Sequence, residues 1–215
     1  MKRIILVTLL CMTGLSVKVC GQLQKGTKHW AGTVNLTGIH THRKDPPGAP
    51  SGSSYFAVYP SVQAGWFTRN NRMIGVGLGS SLYFLHNKSE LASQTYRAGL
   101  NNLSLSLSPF IRQYKSLSAK WALFLHSNAN FSYLRVTNFQ DSVKDFETGY
   151  NVGLQVNPGI SYWFSSRFAL ESDVNLLSLG LKYQHLQDVN SVNFNSGITT
   201  GLSNYFLLRA SWYLQ

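Results

Sequence analysis

The chain contains few cysteines. Its two cysteines, Cys11 and Cys20, both lie within the first 21 residues, which have the pattern of a secretory signal: a basic start, a short apolar run and small residues before position 22. Lipid modification of Cys20 is an alternative, against which the nearby Lys18 argues. Cleavage leaves a chain without cysteine, so disulfides cannot stabilise it. We therefore predict a signal peptide at 1–21 and one domain at 22–215.

Long apolar runs and acidic residues are also scarce. No run of about 18 apolar residues follows the signal, which excludes a transmembrane helix. Eight Asp and Glu stand against 19 Lys and Arg, giving a net charge of +11. A basic exported protein is expected to favour outer-membrane lipid with anionic head groups, such as the phosphates of lipopolysaccharide. The cations are scattered among the connections of an exported chain, so we expect no nucleic-acid partner.

What the sequence does contain is a strong alternation of apolar and small polar residues. In 150–164 the even residues are apolar or aromatic, whereas the odd residues up to 161 are Asn, Gly, Gln or Ser. A period of two places the two sets on opposite faces of a β-strand. Eight such segments are predicted, near 30–40, 54–67, 73–85, 98–114, 120–136, 148–164, 168–184 and 196–214.

Three of these segments carry an interior proline. Pro60, Pro109 and Pro158 recur at intervals of 49 residues, and a fixed interval indicates a repeated supersecondary unit. Because proline removes a donor from the strand ladder, we predict a bulge at each of them. The apolar parity changes between Leu176 and Leu177, which predicts another bulge in the seventh segment.

The connections alternate in length. Long polar connections are predicted near 41–53, 86–97, 137–147 and 185–195, and short ones near 68–72, 115–119 and 165–167. Long loops on one rim and tight turns on the other are typical of outer-membrane barrels. The sequence therefore predicts an all-β fold, an eight-stranded up-and-down antiparallel transmembrane β-barrel in the outer membrane. Residues 22–29 are predicted to be a loose extension.

A soluble barrel of the lipocalin type is the rival fold, with its apolar face turned inward around a ligand. Two observations favour the membrane form. The polar face consists of small Ser, Gly and Asn rather than the Lys and Glu of a water-facing surface. Aromatic residues also gather beside the short turns, as in an interfacial girdle. They are Trp66, Trp121, Tyr162 and Phe168.

The signal, the eight strands, the alternating connections and the amphipathic final strand Tyr205–Gln215 resemble the small outer-membrane β-barrel families of Gram-negative bacteria, the OmpX/OmpA-barrel-like group. The resemblance covers nearly the whole chain after the signal. It implies insertion by the barrel-assembly machinery, which often reads a terminal aromatic residue in such chains. Here the chain ends on Leu214-Gln215, and Trp212 is the nearest outward aromatic residue.

Candidate catalytic and metal-binding residues are few. His126 and Ser127 resemble the His and Ser of lipid A deacylase barrels, but those are two residues apart, and neighbours on a strand point to opposite faces. His40 and His42 have same-face spacing without a nearby carboxylate or cysteine, which is a weak metal site. We predict no enzymatic activity, no cofactor and no metal.

Charged residues of the predicted lumen form the clearest candidate site. Arg112 and Arg209 precede a short turn and the chain end, and the same-face pair Glu171 and Asp173 follows another turn. All four have inward parity near the short-turn rim. We predict an ion-pair network of Arg112, Glu171, Asp173 and Arg209 that closes the lumen.

The leading interpretation is a non-enzymatic outer-membrane protein whose surface loops bind a ligand or stabilise the envelope. A narrow passage for small or hydrophobic solutes is the first alternative, and a lipid A-modifying barrel enzyme is the second. The residues name no ligand and leave the oligomeric state open.

Overall fold

The structure is a computed structural model that describes residues 23–43, 51–91, 94–141, 143–174, 178–197 and 206–215. The predicted signal at 1–21 lies outside these ranges. The alternating segments form ten strands. They are β1 (Lys28–Arg43), β2 (Ser51–Arg69), β3 (Arg72–Leu91), β4 (Gln94–Ser116), β5 (Trp121–Gln140), β6 (Val143–Trp163), β7 (Phe168–Val174), β8 (Ser178–Leu186), β9 (Val189–Gly197) and β10 (Phe206–Leu214).

The strands form one antiparallel sheet that closes on itself. Each of β1 to β6 pairs with the next along the chain, and β1 also pairs with β10, with Lys28 opposite Leu214. β7 joins β6 to β10, which completes the ring near the short turns. Beyond Gly32, the described part of β1 has ladder partners on β2 only, so the ring of backbone hydrogen bonds is complete at the short-turn end. The predicted barrel fold is confirmed.

The ten strands correspond to eight strands around the barrel, which we call staves, because each of the last two staves is divided into two segments. β7 and β8 both pair with β6, and β10 and β9 pair with β7 and β8 respectively. The register against β6 changes by three residues between the pair Tyr162–Leu170 and the pair Val156–Leu179. The bulge predicted between Leu176 and Leu177 lies outside the described residues, and the pairing on either side of it differs by three residues of register.

The bulges predicted at the three prolines are wrong. Pro60 lies opposite Val34, Pro109 opposite Val76 and Pro158 opposite Leu125, without any change of register along those ladders. The β2–β3 ladder lacks the pairs at Tyr59 and Pro60, and the β4–β5 ladder lacks those at Ser108 and Pro109, but the register is the same on both sides of each gap. A missing donor therefore costs a local hydrogen bond on one side of the strand, and no residue has to be inserted.

The predicted long connections are extended hairpins rather than irregular loops. β3 continues to Leu91 and β4 begins at Gln94, while Asp141 lies at the end of the β5–β6 hairpin. β8 and β9 meet at a turn that contains Gln187 with a φ of 51°. The polar residues of these segments keep pairing across strands. For the first predicted connection, 44–50 lies outside the described residues, and 51–53 belongs to β2.

The prediction of a loose extension at 22–29 is also wrong for the described residues. Leu23 is fully buried, and its carbonyl oxygen accepts a hydrogen bond of 2.8 Å from the backbone N–H of Asn71. Gly26 donates to Phe67, and Phe67 donates to Thr27. The segment is held because an apolar side chain is buried under the barrel and its backbone groups find partners there.

The two faces of the wall differ as an amphipathic barrel requires. Outward residues include many exposed large apolar side chains, whereas inward residues near the short turns are buried and aromatic. The inward aromatic floor consists of Phe67, Phe110, Tyr114, Phe124, Trp163 and Tyr213, with Leu23 and Met73. In the described part of the chain, no helix is both long and apolar enough to cross a bilayer. The strands thus form a closed antiparallel β-barrel with large apolar side chains exposed on its outer face.

Candidate functional site

Arg112 on β4 is a central polar group of the lumen, with four side-chain hydrogen-bond partners. Its guanidinium is fully buried, and Nη1 lies 2.7 Å from Glu171 Oε2 on β7. Nε donates to His126 Nδ1 at 3.1 Å, and Nη2 donates to Gln63 Oε1 at 3.1 Å. The cation also lies 4.8 Å from the centre of the Phe124 ring. Its charge is thus balanced by a carboxylate and supported by neutral acceptors and aromatic faces.

Glu171 receives hydrogen bonds from three staves of the barrel. Both of its carboxylate oxygens are occupied, and the residue is fully buried. A buried carboxylate is stable only when its lone pairs are satisfied, and hydroxyl and guanidinium donors do this here. The donors are Arg112 Nη1 at 2.7 Å, Tyr114 Oη at 2.9 Å, Ser161 Oγ at 3.2 Å, Ser211 Oγ at 2.9 Å and Tyr213 Oη at 2.6 Å.

A second ion pair lies beside the first. Arg209 Nη2 on β10 donates to Asp173 Oδ2 on β7 at 2.6 Å. Arg209 Nη1 lies 3.6 Å from Glu171 Oε2, which links the two pairs. His29 Nε2 on β1 lies 3.6 Å from the same oxygen. The structure thus brings together all four residues that the sequence placed in the lumen.

The local strand pattern explains these positions. Glu171 and Asp173 are two residues apart on β7 and point to the same face, and Arg209 lies opposite Glu171 in the β7–β10 ladder. Arg112 reaches them from β4 across the lumen. Glycine makes room for the aromatic residues around this network, because a Cβ at Gly159 would overlap the Phe124 ring.

Several members of the network escaped the sequence analysis. Tyr114, Ser211 and Tyr213 lie two or four residues beyond Arg112 or Arg209 on the same inward face. This even spacing from Arg112 and Arg209 is the sequence signal that could have assigned them to the lumen. Gln63 and Ser161 come from other strands, and only the closed sheet brings them to the ion pairs.

A polar cavity of about 410 Å³ lies on the long-hairpin side of this floor. Hydrogen bonds cross its wall, since Ser108 Oγ donates to Asn130 Oδ1 at 2.8 Å and Asn130 Nδ2 donates to Ser132 Oγ at 2.8 Å. Small side chains make the space available, and Lys182 adds a cation. The chemistry suits a small polar solute or water. The lining includes Ser104, Ser106, Asn130, Ser132, Asn151 and Lys182.

The structure places the other sequence candidates on different faces of the wall. His126 is buried in the lumen, whereas Ser127 lies in the outward row with Ile111 and Val156. His40 and His42 lie on the outer face near the long hairpins, and His40 Nδ1 is 2.7 Å from Ser54 Oγ. Within the described ranges, no three His, Cys, Asp or Glu side chains are grouped to hold a metal.

The comparisons with known proteins give similarity of structure only. No protein-family model matches the chain, and no curated protein matches it either. Among solved structures, the chain is similar to Ail, the attachment invasion locus protein of Yersinia pestis, at 9% identity and a TM-score of 0.38, over 88% of this chain and 99% of that one. It is also similar to Neisserial surface protein A (NspA), at 16% identity and a TM-score of 0.36, over 88% and 97%. The barrel assignment therefore rests on this chain's own strand order and faces.

Proposed function

We propose that the protein is a non-enzymatic barrel of the outer membrane, with a lumen sealed near the short turns and long hairpins that bind a ligand outside the cell or stabilise the envelope. The observation that carries the proposal is the fully buried pair Arg112–Glu171, which joins opposite walls of the lumen. A barrel cross-linked in this way holds its shape and blocks flow. Its exposed chemistry then lies on the outer wall and the hairpins.

The apolar outer wall supports a membrane location. Large apolar side chains are exposed at the outward-facing positions of the strands. So large an apolar surface would be unfavourable in contact with water. Trp30, Trp66, Trp121 and Trp212 are each at least 43% exposed and lie near the short turns, as in an interfacial girdle. Exposed members between this girdle and the hairpins include Val34, Leu36, Val62, Leu78, Leu105, Leu107, Phe131 and Leu154.

The strand lengths support a large part outside the membrane. β4 has 23 residues. Such a strand is roughly 75 Å long, and at a tilt of about 40° it rises roughly 58 Å, about twice the ~25 Å height of an apolar band. The β3–β4 and β5–β6 hairpins therefore project well beyond the lipid. We infer that they face outward, with both chain ends on the periplasmic side, and that the barrel-assembly machinery inserts the chain.

A narrow passage is the second candidate, and the polar cavity of about 410 Å³ favours it. The two functions differ in conductance. A sealed barrel reconstituted in a planar bilayer should show no steady channel openings, whereas a passage should conduct with the ion-pair network intact. Steady openings of the wild-type protein would overturn the sealed-barrel proposal.

Location is tested separately. The mature protein should fractionate with the outer membrane, need detergent for extraction and migrate differently on a gel before and after boiling. Protease added to intact cells should cut the long hairpins and spare the short turns. Recovery as a soluble periplasmic monomer would contradict the membrane location.

A further inference from the structure

The outer wall carries a basic patch directly above its apolar part. His40, Ser54 and His86 are neighbours in one outward row across β1, β2 and β3, and the row continues through Gly99 to Phe139. The next outward row towards the hairpin ends contains His42, Gly52, Lys88 and Arg97. We call the following six residues the outer-rim patch: His40, His42, His86, Lys88, Arg97 and Phe139.

The patch is a shaped concavity rather than a set of scattered charges. Its six residues line a cavity of about 620 Å³ together with Ser54, and the imidazole of His40 lies 2.7 Å from the Ser54 hydroxyl. The Phe139 ring lies over Gly99, where a Cβ would overlap it, and 5.2 Å from the His86 ring. Two fixed cations, imidazole and hydroxyl donors, and an aromatic wall therefore surround one space.

The height of the patch indicates what can reach it. His40 follows Trp30 by ten residues on the same outer face of β1. Ten tilted strand residues rise roughly 25 Å, the height of the apolar band, so His40 lies at its upper edge. On β3, the outward residues in order are Leu82, Phe84, His86 and Lys88, so that apolar side chains lie below basic ones.

The charge of the patch selects an anionic group. Lys88 and Arg97 are exposed and lie opposite each other, and the exposed Lys144 follows Phe139 in the first row. Two acidic residues lie at this edge: Asp141, whose Oδ1 accepts a hydrogen bond from the backbone N–H of Arg97, and Glu90, which follows Lys88 by two residues on β3. Phosphate oxygens accept hydrogen bonds from guanidinium, ammonium and imidazole groups at once.

We propose that the outer-rim patch binds the phosphorylated saccharide head of an outer-leaflet glycolipid. Its acyl chains lie against Phe56 and Phe84, which are opposite each other in the outward row directly below Ser54 and His86. The patch extends over two residue rows above the edge of the apolar wall. An extended saccharide head with several phosphates matches this extent better than a head group with a single phosphodiester. This inference rests on the proposed membrane location and adds a specific lipid site to it. The ligand class is a lipid A-type glycolipid that carries phosphates.

The test compares two matched double variants of the full mature chain in detergent. Lys88→Gln with Arg97→Gln removes two cations from the patch, and Lys28→Gln with Lys115→Gln removes two exposed cations at the short-turn end. Binding of bisphosphorylated lipid A is titrated by native mass spectrometry. Since each basic residue near an anionic surface contributes roughly fivefold in affinity, the patch variant should bind about 30-fold more weakly, and the control should stay within about twofold of the wild type.

Further arms separate the sources of the anion. Dephosphorylated lipid A, phosphatidylglycerol, inorganic phosphate and soluble heparin are titrated against the wild type. The proposal holds if bisphosphorylated lipid A binds most tightly. It is overturned if phosphatidylglycerol or heparin binds as tightly through the same residues, or if both double variants lose affinity equally. A gel shift on boiling shows whether each variant is folded. If the patch double variant is unfolded, the single variant Lys88→Gln replaces it.

Cell-surface protease cleavage is measured on the same patch variant. Normal exposure of the hairpins together with unchanged lipid A binding would contradict the lipid site and leave the membrane location intact. Loss of membrane fractionation in the wild type would instead contradict the location itself.

Discussion

Arg112 Nη1 and Glu171 Oε2 lie 2.7 Å apart across the lumen, although 59 residues separate them along the chain. Both residues are fully buried. Neither is stable there alone, because a buried charge without its partner costs more than the pair does together. The pair therefore depends on closure of the sheet and stabilises it in return.

Glu171→Gln should weaken the barrel. The substitution leaves the Arg112 guanidinium buried without its nearest anion, and removing one partner of a buried pair costs roughly 3–5 kcal/mol. The free energy of unfolding, measured by denaturant titration in micelles, should fall by an amount of that order. Asp188→Asn is the matched control, because Asp188 lies in the exposed β8–β9 turn. Equal stability of both variants would argue against a structural ion pair.

Replacing both partners should cost less than the single changes suggest. Arg112→Met with Glu171→Met leaves neither charge of the pair buried, so its loss of stability should be smaller than the sum of the two single losses by roughly 1–3 kcal/mol. A double-mutant cycle from denaturant titrations measures this coupling. Additive losses would show that the two residues act independently.

The buried N-terminal segment gives a third prediction. Leu23 is fully buried below the aromatic floor. Leu23→Ala should lower the free energy of unfolding by about 2–5 kcal/mol, the usual cost of truncating a buried leucine. Lys25→Ala is the control, since Lys25 is exposed in the same segment. A negligible effect of Leu23→Ala would indicate that this segment is a loose extension after all.

A charge on the apolar wall distinguishes a membrane barrel from a water-soluble one. Leu107 is 46% exposed on the outer face of β4, about midway between Leu103 and Ile111. In lipid, Leu107→Arg should cost roughly 2–4 kcal/mol, whereas Leu117→Arg at the short-turn rim should cost about 0–1 kcal/mol. Folding equilibria in lipid vesicles measure both changes. Tolerance of arginine at position 107 would place that face in water.

Orientation is tested by single cysteines, because the chain beyond the predicted signal contains none. Asp141→Cys and Asp188→Cys should react with an impermeant maleimide on intact cells. Asn70→Cys and Ser166→Cys should react only after the outer membrane is opened, since they lie on the short-turn rim. The reversed pattern would invert the proposed topology.

The sequence by itself determined the faces of the wall and the number of staves. Alternation is a local property with a period of two, so residues such as Arg112, Glu171 and Arg209 could be assigned to the lumen without any knowledge of their partners. Their similar depth in the barrel followed from their distances to the short turns and the chain end. The lengths of the hairpins did not follow, because polar residues pair across strands as well as they form loops.

Only the tertiary structure decided the register, the response to the prolines and the place of Leu23. These features depend on contacts between residues far apart in the chain, such as Ser161 and Tyr213 with Glu171. The three-residue change of register along β6 and the outer-rim patch likewise arise from how neighbouring staves align. Alignment between strands is set by the packing of the whole closed sheet, and no local periodicity encodes it.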